Sequence, residues 1–519
     1  MPDEPTKSGG LLGPGTPLHK WWTAITVMLG TFIVVLSSTS VNVILPEMMT
    51  GFSLDVDEVQ WVVTAYMIAS AICMPMVGWL GNLFGNRNLY ILSLLTFVTS
   101  SMLAGISWHY GLFIFFRILQ GVGGGPLLPL ALVLLNEAFP PQERGMATGL
   151  YGMGIAFGPS IGPVLGGYLS DILNWRAVFY VNVPVGVLCI LLSFFVLPNS
   201  QEARRRTVDI LGLLTMATFV TTLLLALSQG QRKEWDSTYI LTLFGIAGIA
   251  FVAFLVSELL QKEPLVELHL FRLFPFCMVC IVTFINAMNF WGSAFLQVIM
   301  FQRTLDYTPF QTGMIFLPGA LCMGAVMMVA GKLTDRLEPR LPMIAGLLLF
   351  AYASYQFAQV NNEASMTTLI WLSIMRYMSI GAIMSPLMTA LLMSLPPEKV
   401  RMGSGIMNIM QQGLGGTIGI AMLATLLKRR TIYHTMMVAQ NQSLATKGVE
   451  TLFPTVRRIV EAGGDVGLLA QVKAAALLQK RLVLEGSMAA YQDCFLLMAV
   501  LALLLLPPTL LIFTRRNRA

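Results

Sequence analysis

The sequence predicts an all-α membrane protein in which 14 transmembrane helices form two six-helix bundles with a two-helix hairpin inserted between them. Three observations predict this fold: an apolar composition, long apolar runs and a repeat across the two halves. Of the 519 residues, 56% are hydrophobic and only 11% are charged, whereas a soluble protein carries roughly 25% charged residues. Lipid is therefore the expected solvent, and apolar runs without strict alternation predict helices instead of a β-barrel.

Each predicted span is an apolar run close to the roughly 20 residues that a transmembrane helix needs. The predicted spans are 21–45, 60–80, 89–107, 111–136, 147–170, 177–197, 210–229, 239–260, 275–297, 311–330, 342–360, 367–392, 402–427 and 491–513. We expect an N-terminal tail, an N-terminal bundle, the inserted hairpin and a C-terminal bundle at 1–20, 21–200, 201–270 and 271–519.

Basic residues predict the orientation, since short cytoplasmic segments are enriched in Lys and Arg. Most Lys and Arg residues between the spans fall on the side of the N-terminus, so both termini are expected in the cytoplasm, beneath the inner (plasma) membrane. Lys428 to Arg430 are an exception at the start of a long predicted periplasmic loop, 428–490. Amphipathic stretches in this loop predict a cap on the outer mouth, with a docking surface for a periplasmic partner as the alternative.

The repeat predicts the working principle. Residues 139–150 (FPPQERGMATGL) align without a gap on residues 395–406 (LPPEKVRMGSGI), and each segment lies between two apolar runs. Membrane proteins built from two similar halves usually hold a substrate between them, because rocking the halves exposes a central site to each side in turn. The sequence therefore predicts a transporter that works by alternating access.

Glycine and proline mark the predicted hinge and gating segments. Glycines four residues apart share one helical face and let another helix approach closely, whereas prolines bend a helix. Static packing is the alternative interpretation. The span-five candidates are Gly154, Gly158, Pro159, Gly162, Pro163, Gly166 and Gly167. Similar marks after spans two and ten add Gly78, Gly85, Arg87, Gly331, Asp335 and Arg336.

Polar residues inside the spans are candidates for the substrate and proton pathway. An arginine at mid-membrane costs between about 3 and over 10 kcal/mol, so it needs a polar cavity or a partner. Arg117 and Arg376 lie near span ends, so snorkelling to the membrane interface is the alternative for both. For each of the other polar residues, the alternative is a hydrogen bond that holds two helices together. The candidates are Arg117, Asn42, Gln120, Glu137, Asn289, Arg376, Asn408, Gln411, Gln412 and Asp493.

Sequence signatures of soluble enzymes are missing. The chain contains no G-x-x-x-x-G-K-[ST] or H-E-x-x-H pattern, and its G-x-S-x-G match, residues 158–162, lies inside predicted span five and not at the strand-to-helix turn that this motif needs. We therefore expect neither an enzyme nor a bound cofactor or metal. The net charge of +6 follows mostly from the orientation rule, so it does not indicate nucleic acid as a partner.

Several motifs together resemble one family. They are residues 36–46 in span one, Arg117-x-x-Gln120-Gly121 in span four, and residues 158–167 followed by residues 175–186. The chain is similar in these motifs to the major facilitator superfamily, specifically to the fourteen-span drug:proton antiporters of the EmrB/QacA type and their EmrB branch. The resemblance implies the major-facilitator fold and multidrug-type efflux in exchange for protons. It also implies a periplasmic adaptor protein and an outer-membrane channel as partners.

One departure from the family affects the expected cargo. The family commonly has an aspartate where this chain has Ser37. Without that acid, Arg117 lacks its most obvious partner, which favours an amphiphilic cargo, anionic or neutral, over a multivalent cation. Glu137 and Asp493 are then the candidate proton carriers. The alternatives are a lipid or fatty-acid exporter, an uncoupled facilitator and, outside transport, a membrane receptor or embedded enzyme.

Overall fold

The computed structural model describes most of the chain. The described ranges are 18–54, 56–59, 61–140, 143–198, 210–261, 268–396, 399–444, 454–458, 460–461 and 467–512. The predicted N-terminal tail falls almost entirely outside them. Every regular element in these ranges is a helix.

The N-terminal part and the inserted hairpin reproduce the order of predicted spans one to eight. The helices are α1 (His19–Phe52), α2 (Val56–Val59), α3 (Trp61–Cys73), α4 (Val77–Phe84), α5 (Asn86–Ile106), α6 (Tyr110–Ala138), α7 (Arg144–Ile172), α8 (Ala177–Tyr180), α9 (Asn182–Val196), α10 (Ile210–Lys233) and α11 (Thr238–Leu260). The hairpin consists of α10 and α11, and α10 also contacts α3 and α17 of the two bundles.

The C-terminal part follows a short 3-10 turn at Leu268–Arg272. Its helices are α12 (Phe274–Ile299), α13 (Pro309–Arg336), α14 (Arg340–Phe357), α15 (Met366–Ser394), α16 (Val400–Asn408), α17 (Gly416–Leu444), α18 (Leu468–Leu504) and α19 (Leu506–Leu510). Two π-helical turns interrupt this series, at Met300–Thr304 and Ile409–Gly415.

The predicted count of fourteen spans is not confirmed. In the described part of the chain, ten helices are long and apolar enough to cross a membrane, or eleven if α3 and α4, bent by 63°, form one span. The predicted spans 147–170, 342–360 and 402–427 coincide with helices that are not among them. In the first of these, glycine, proline and polar residues replace the large apolar side chains that give a span its hydropathy.

The described part of the predicted loop at 428–490 is largely helical. Helix α17 continues to Leu444, and α18 begins at Leu468. The two helices pack closely, since a Cβ added at Gly486 would lie 2.3 Å from Oγ1 of Thr435. The apolar spacing at 466–477 correctly predicts a helix there. Helices α17 and α18 are therefore continuous from this hairpin into the C-terminal bundle.

Helix α7 lies at the contact between the two bundles. It packs along α1 in its own half and along α13 in the other half, and α13 packs in turn on α15. The contact between halves is completed where α16 meets α4 and α6. Ser37, Arg117, Ser293 and Arg376, on α1, α6, α12 and α15, are buried within bundles that meet along α7 and α13.

Candidate functional site

Arg117 on α6 is at the centre of a buried polar network. Its side chain is 1% exposed. Its Nε donates to the carbonyl oxygen of Val62 on α3 over 2.9 Å, and its Nη1 donates to Oε1 of Gln120 over 2.6 Å. The guanidinium carbon lies 4.5 Å from the ring centroid of Tyr66, within cation–π range. Arg117 therefore points into the bundle and does not snorkel to its surface.

Ser37 extends this network to α1. Nε2 of Gln120 donates to Oγ of Ser37 over 3.2 Å, and Ser37 is 1% exposed. None of the ion pairs between described residues includes Arg117. The buried positive charge is therefore balanced by a carbonyl, an amide and an aromatic ring, and a serine occupies the place from which a carboxylate could pair with it.

Glycines of α6 allow the neighbouring helices to come this close. A Cβ at Gly121 would lie 2.5 Å from the carbonyl oxygen of Tyr66, and a Cβ at Gly125 would lie 2.5 Å from that of Ser70. A Cβ at Gly123 would lie 2.6 Å from the backbone nitrogen of Phe97 on α5. These contacts are with backbone atoms, which cannot rotate away. The glycines after Arg117 therefore set the spacing of α3, α5 and α6 around the network.

Arg376 on α15 repeats this arrangement in the C-terminal half. Its side chain is 1% exposed, and its guanidinium carbon lies 4.6 Å from the ring centroid of Tyr377. Its Nη1 donates to Oγ of Ser293 on α12, the helix that corresponds to α1. Asn289 lies one turn before Ser293 and is 2% exposed. Both halves thus place a buried arginine, on α6 or α15, near a serine on α1 or α12. Arg376 contacts Ser293 directly, whereas Arg117 is linked to Ser37 through Gln120.

Sequence reasoning missed Ser293, although its spacing from Asn289 and Gln297 was visible. Asn289, Ser293 and Gln297 follow one another at intervals of four residues, which places them on one face of α12. A polar stripe with helical spacing, one helix before a buried arginine, is the signal that identifies this site. In the N-terminal half, the missed partner is the backbone carbonyl of Val62, which no side-chain pattern reveals.

Asn408, Gln411 and Gln412 do not keep the spacing of a regular α-helix. The π-helical turn at Ile409–Gly415 changes the register between them. Nδ2 of Asn408 donates to the carbonyl oxygen of Ser404 over 2.9 Å. Nε2 of Gln411 lies 2.9 Å from Sδ of Met384, a weak acceptor. The side chain of Gln412 lies outside the described residues.

The contact between the halves involves a different face of α7 from its regular glycine stripe. A Cβ at Gly152 would overlap the side-chain end of Met327 on α13, and Oη of Tyr151 lies 3.5 Å from Oδ1 of Asn408. On the neighbouring elements, Gly78 lies against Met402. Gly152 and Tyr151 are further residues that sequence reasoning missed.

The glycine stripe of α7 packs against α1 of the same half. Gly154 lies against Thr31, Gly158 against Val35, and both Gly162 and Gly166 against Ser40. Oγ1 of Thr39 donates to the carbonyl oxygen of Gly158 over 3.0 Å. A Cβ at Gly167 would meet only Val43, at 3.8 Å, and the side chains of Pro159 and Pro163 lie outside the described residues. The hinge role of these residues remains a prediction, and the stripe is a close contact between α1 and α7.

The remaining N-terminal candidates lie outside the Arg117 network. Asn42 is exposed and donates to the carbonyl oxygen of Ser38 over 3.2 Å. Glu137 is exposed and accepts from Nδ2 of Asn86 over 2.7 Å. Gly85 has a φ of 78°, which favours glycine and allows the break between α4 and α5.

The last candidates lie near helix ends and in the hairpin of α17 and α18. Nη2 of Arg87, next to the break at Gly85, donates to the carbonyl oxygen of Phe194 over 2.6 Å. Gly331 is buried near the end of α13, and the side chains of Asp335 and Arg336 lie outside the described residues. Oδ2 of Asp493 on α18 lies 2.8 Å from Nε2 of His434 and 3.5 Å from Nε of Arg430, both on α17. Asp493 thus belongs to the hairpin, and the structure does not bring it into the network of Arg117.

Comparison with known proteins gives the same family from several directions. Residues 27–420 match the sequence profile described as the Major Facilitator Superfamily. Multidrug export protein EmrB of Haemophilus influenzae is 30% identical over 418 residues, which are 80% of this chain and 82% of that protein. Fatty acid resistance protein FarB of Neisseria gonorrhoeae is 26% identical over 488 residues, or 94% of each chain.

A solved structure supports the fold. The crystal structure of the human organic anion transporter MFSD10 (TETRAN) superposes with a TM-score of 0.60. The match covers 95% of this chain and 99% of the human chain at 14% identity. At this identity, the likeness is evidence for the shared helical fold alone.

Proposed function

The chain belongs to the major facilitator superfamily, a family of transporters, and we propose that it exports amphiphilic small molecules, anionic or neutral, in exchange for protons. The export is of the multidrug type and crosses the inner membrane. The two bundles alternate between inward-open and outward-open states around a shared polar cavity. The protein is a multi-pass membrane transporter and not an enzyme.

The observation that carries the proposal is the network of Arg117, Gln120 and Ser37. Its positive charge is buried, and neutral groups are its hydrogen-bond partners. A buried charge without a counter-ion is costly, so a ligand that brings a negative charge or a strong dipole is stabilised there. A second positive charge is repelled. This selects anionic and neutral amphiphiles over multivalent cations.

Proton movement supplies the driving force. Each elementary charge that moves down the membrane potential releases about 2.3 kcal/mol per 100 mV, which supports roughly fortyfold accumulation of a substrate. Glu137 and Asp493 are the candidate proton carriers on the two sides. Support for these roles is their position at the ends of α6 and on α18, where each carboxylate is at least partly exposed.

We place the protein in the membrane with fourteen spans and with both termini in the cytoplasm. The distribution of Lys and Arg supports this orientation. The close contact of α1 with α7, together with Gly78, Gly85 and Gly331 near helix ends, would serve as hinge and gate. The parts of α17 and α18 that fall within 428–490 then lie outside the membrane.

A periplasmic adaptor protein and, beyond it, an outer-membrane channel are the proposed partners of this hairpin. Support comes from apolar side chains that α17 and α18 leave exposed. They are Ile432, Tyr433, Met436, Leu469 and Val472. Apolar helical surfaces beyond the bilayer are unstable in water unless another protein covers them.

A second candidate function is export of fatty acids or related lipids. A relative named for fatty acid resistance favours it, and so does the unpaired charge of Arg117. Ser37 also allows a variant of either function in which the protein is an uncoupled facilitator, since no carboxylate occupies that place.

Reconstituted protein tests the proposal. Proteoliposomes with the pH gradient imposed inward, outward or not at all would be loaded with an anionic and a neutral amphiphilic dye. We expect export against the concentration gradient only when protons flow the opposite way. Export that ignores the pH gradient would remove the coupling, and transport of multivalent cations in preference to both dyes would remove the cargo assignment.

A further inference from the structure

The buried guanidinium of Arg376 has unused hydrogen-bond donors. Among the described residues, its Nε and Nη2 have no hydrogen-bond partner, although the side chain is 1% exposed. Nη1 donates to the hydroxyl of Ser293. A charged donor that is removed from water without a partner costs more than the 1–3 kcal/mol that is typical of a neutral group. Such an arrangement is stable when something outside the chain accepts these hydrogen bonds.

The facing helix presents more unsatisfied groups. Gln297 is 0% exposed, and neither its Nε2 nor its Oε1 has a partner among the described residues. Oδ1 of Asn289 and Oγ of Ser373, one turn before Arg376 on α15, are also buried without partners. Gln297 lies one turn after Ser293, which the guanidinium contacts, so it lies on the face of α12 that Arg376 reaches.

The corresponding site in the N-terminal half is different. There, Nε and Nη1 of Arg117 both have partners, and both polar ends of Gln120 are used. No atom of Arg117 or Gln120 is among the buried unsatisfied atoms of the described residues. Both halves thus have a buried arginine and a buried glutamine, yet of these two arginines only Arg376 has nitrogen atoms that are fully buried without a partner among the described residues. The difference indicates that the C-terminal copy awaits a ligand.

We propose that Arg376, Gln297 and Ser293 form a subsite that binds the carboxylate of an amphiphilic substrate. This inference rests on the proposed function and specifies where the anionic head is held. A guanidinium presents paired N–H groups that match the two oxygens of a carboxylate. The amide of Gln297 adds a further donor. The apolar tail then lies along the bundle core, beside residues such as Phe290 and Leu296, which are buried on α12.

Equilibrium binding to the full-length protein in lipid nanodiscs tests the subsite. The probes are dodecanoate and 1-dodecanol, which share a tail and differ in the head. The variants are Arg376→Gln, Gln297→Leu and, as a control for loss of a surface charge, Lys428→Gln, whose side chain is exposed on α17.

We expect the first two variants to weaken dodecanoate binding at least roughly tenfold, since charge-assisted hydrogen bonds are lost. Dodecanol binding should stay within about twofold, and the control should bind both probes as wild type does. If the Arg376→Gln protein aggregates, the binding of dodecanoate to Gln297→Leu still tests the subsite. Unchanged dodecanoate binding in Gln297→Leu and in any folded Arg376 variant would overturn the subsite, as would wild-type protein that binds only dodecanol.

The same samples separate this inference from the proposed function. Wild-type protein that exports neutral dyes but shows no carboxylate preference would refute the subsite and leave the exporter intact. Selective loss of dodecanoate binding in Arg376→Gln, with no proton-driven export of any dye by wild type, would support the subsite and refute the exporter.

Discussion

Replacement of Ser37 by aspartate tests how a single side chain sets the charge preference of the N-terminal network. The mutation introduces the acid that the family resemblance led us to expect at this position. Ser37 is buried and accepts from Gln120, which in turn accepts from Arg117. The new carboxylate would therefore enter a path of hydrogen bonds that already leads to the guanidinium.

The geometry gives the magnitude. The two hydrogen bonds in this path measure 3.2 Å and 2.6 Å. The oxygen and nitrogen of the Gln120 amide that join them are about 2.3 Å apart. A carboxylate at position 37 would therefore lie at most roughly 8 Å from the guanidinium, which at an effective dielectric constant near 20 corresponds to an attraction of roughly 2 kcal/mol. This attraction offsets the field that Arg117 exerts on a bound ligand. Since about 1.4 kcal/mol is a tenfold change in affinity, about two-thirds of it shifts the preference for anions over cations by tenfold.

The assay compares efflux of one cation and one anion. Ser37→Asp and the neutral control Ser37→Asn, which has nearly the same shape, would be expressed in a drug-sensitive bacterial strain. Ethidium accumulation in cells reports the cation, and dodecanoate export in inverted vesicles reports the anion. We expect Ser37→Asp to gain ethidium efflux and to lose dodecanoate export at least about tenfold relative to Ser37→Asn.

Equal behaviour of the two variants would refute the reasoning. In that case the charge at position 37 would not reach the ligand, and the unpaired arginine would not explain the cargo. A gain of ethidium efflux in both variants would point to the size of the side chain as the cause. Either result removes the electrostatic argument while the fold assignment stands.

Three further predictions concern packing. Gly125→Ala places a methyl group 2.5 Å from a backbone oxygen and should lower stability by about 2 kcal/mol, seen as a lower melting temperature in detergent, whereas Gly245→Ala, with nothing within 4 Å, should not. Gly152→Ala meets the flexible end of Met327, so transport should fall in vesicles and return when Met327→Ala is added; failure of the rescue would contradict a role at the contact between halves. Asp493→Asn removes the partly exposed contacts of this carboxylate with Arg430 and His434 and should lower stability by less than about 1 kcal/mol. A larger loss in the same melting assay would indicate a structural role for this carboxylate.

The existence and order of the helices could be predicted because lipid imposes a simple rule. A long apolar run has to satisfy its backbone internally, so predicted spans 89–107 and 111–136 correspond to Asn86–Ile106 and Tyr110–Ala138. The π-helical turn at Ile409–Gly415 could not be predicted in this way, because one extra residue per turn leaves the apolar pattern almost unchanged.

The candidate site was predictable in its arginines and in Gln120. An arginine is rare enough in a span to be identified from the sequence, and both Arg117 and Arg376 are buried, although the sequence left snorkelling open. Partners on other helices depend on which helix lies opposite, and Ser37 is 80 positions before Arg117. The stripe of glycines on α7 was visible, but whether it faced α1 or the other half depended on packing that spacing alone does not encode.

The length of α18 would carry the proposed rotation of the bundles far from the membrane centre. A helix of 37 residues is about 56 Å long, nearly twice the roughly 30 Å hydrocarbon thickness. With one end at a boundary of the hydrocarbon, its other end would lie about 40 Å from the midplane. A bundle rotation of about 15° would move that end by roughly 10 Å. In the proposed cycle the helix would therefore act as a lever, and a protein bound to its tip would be displaced in each turnover.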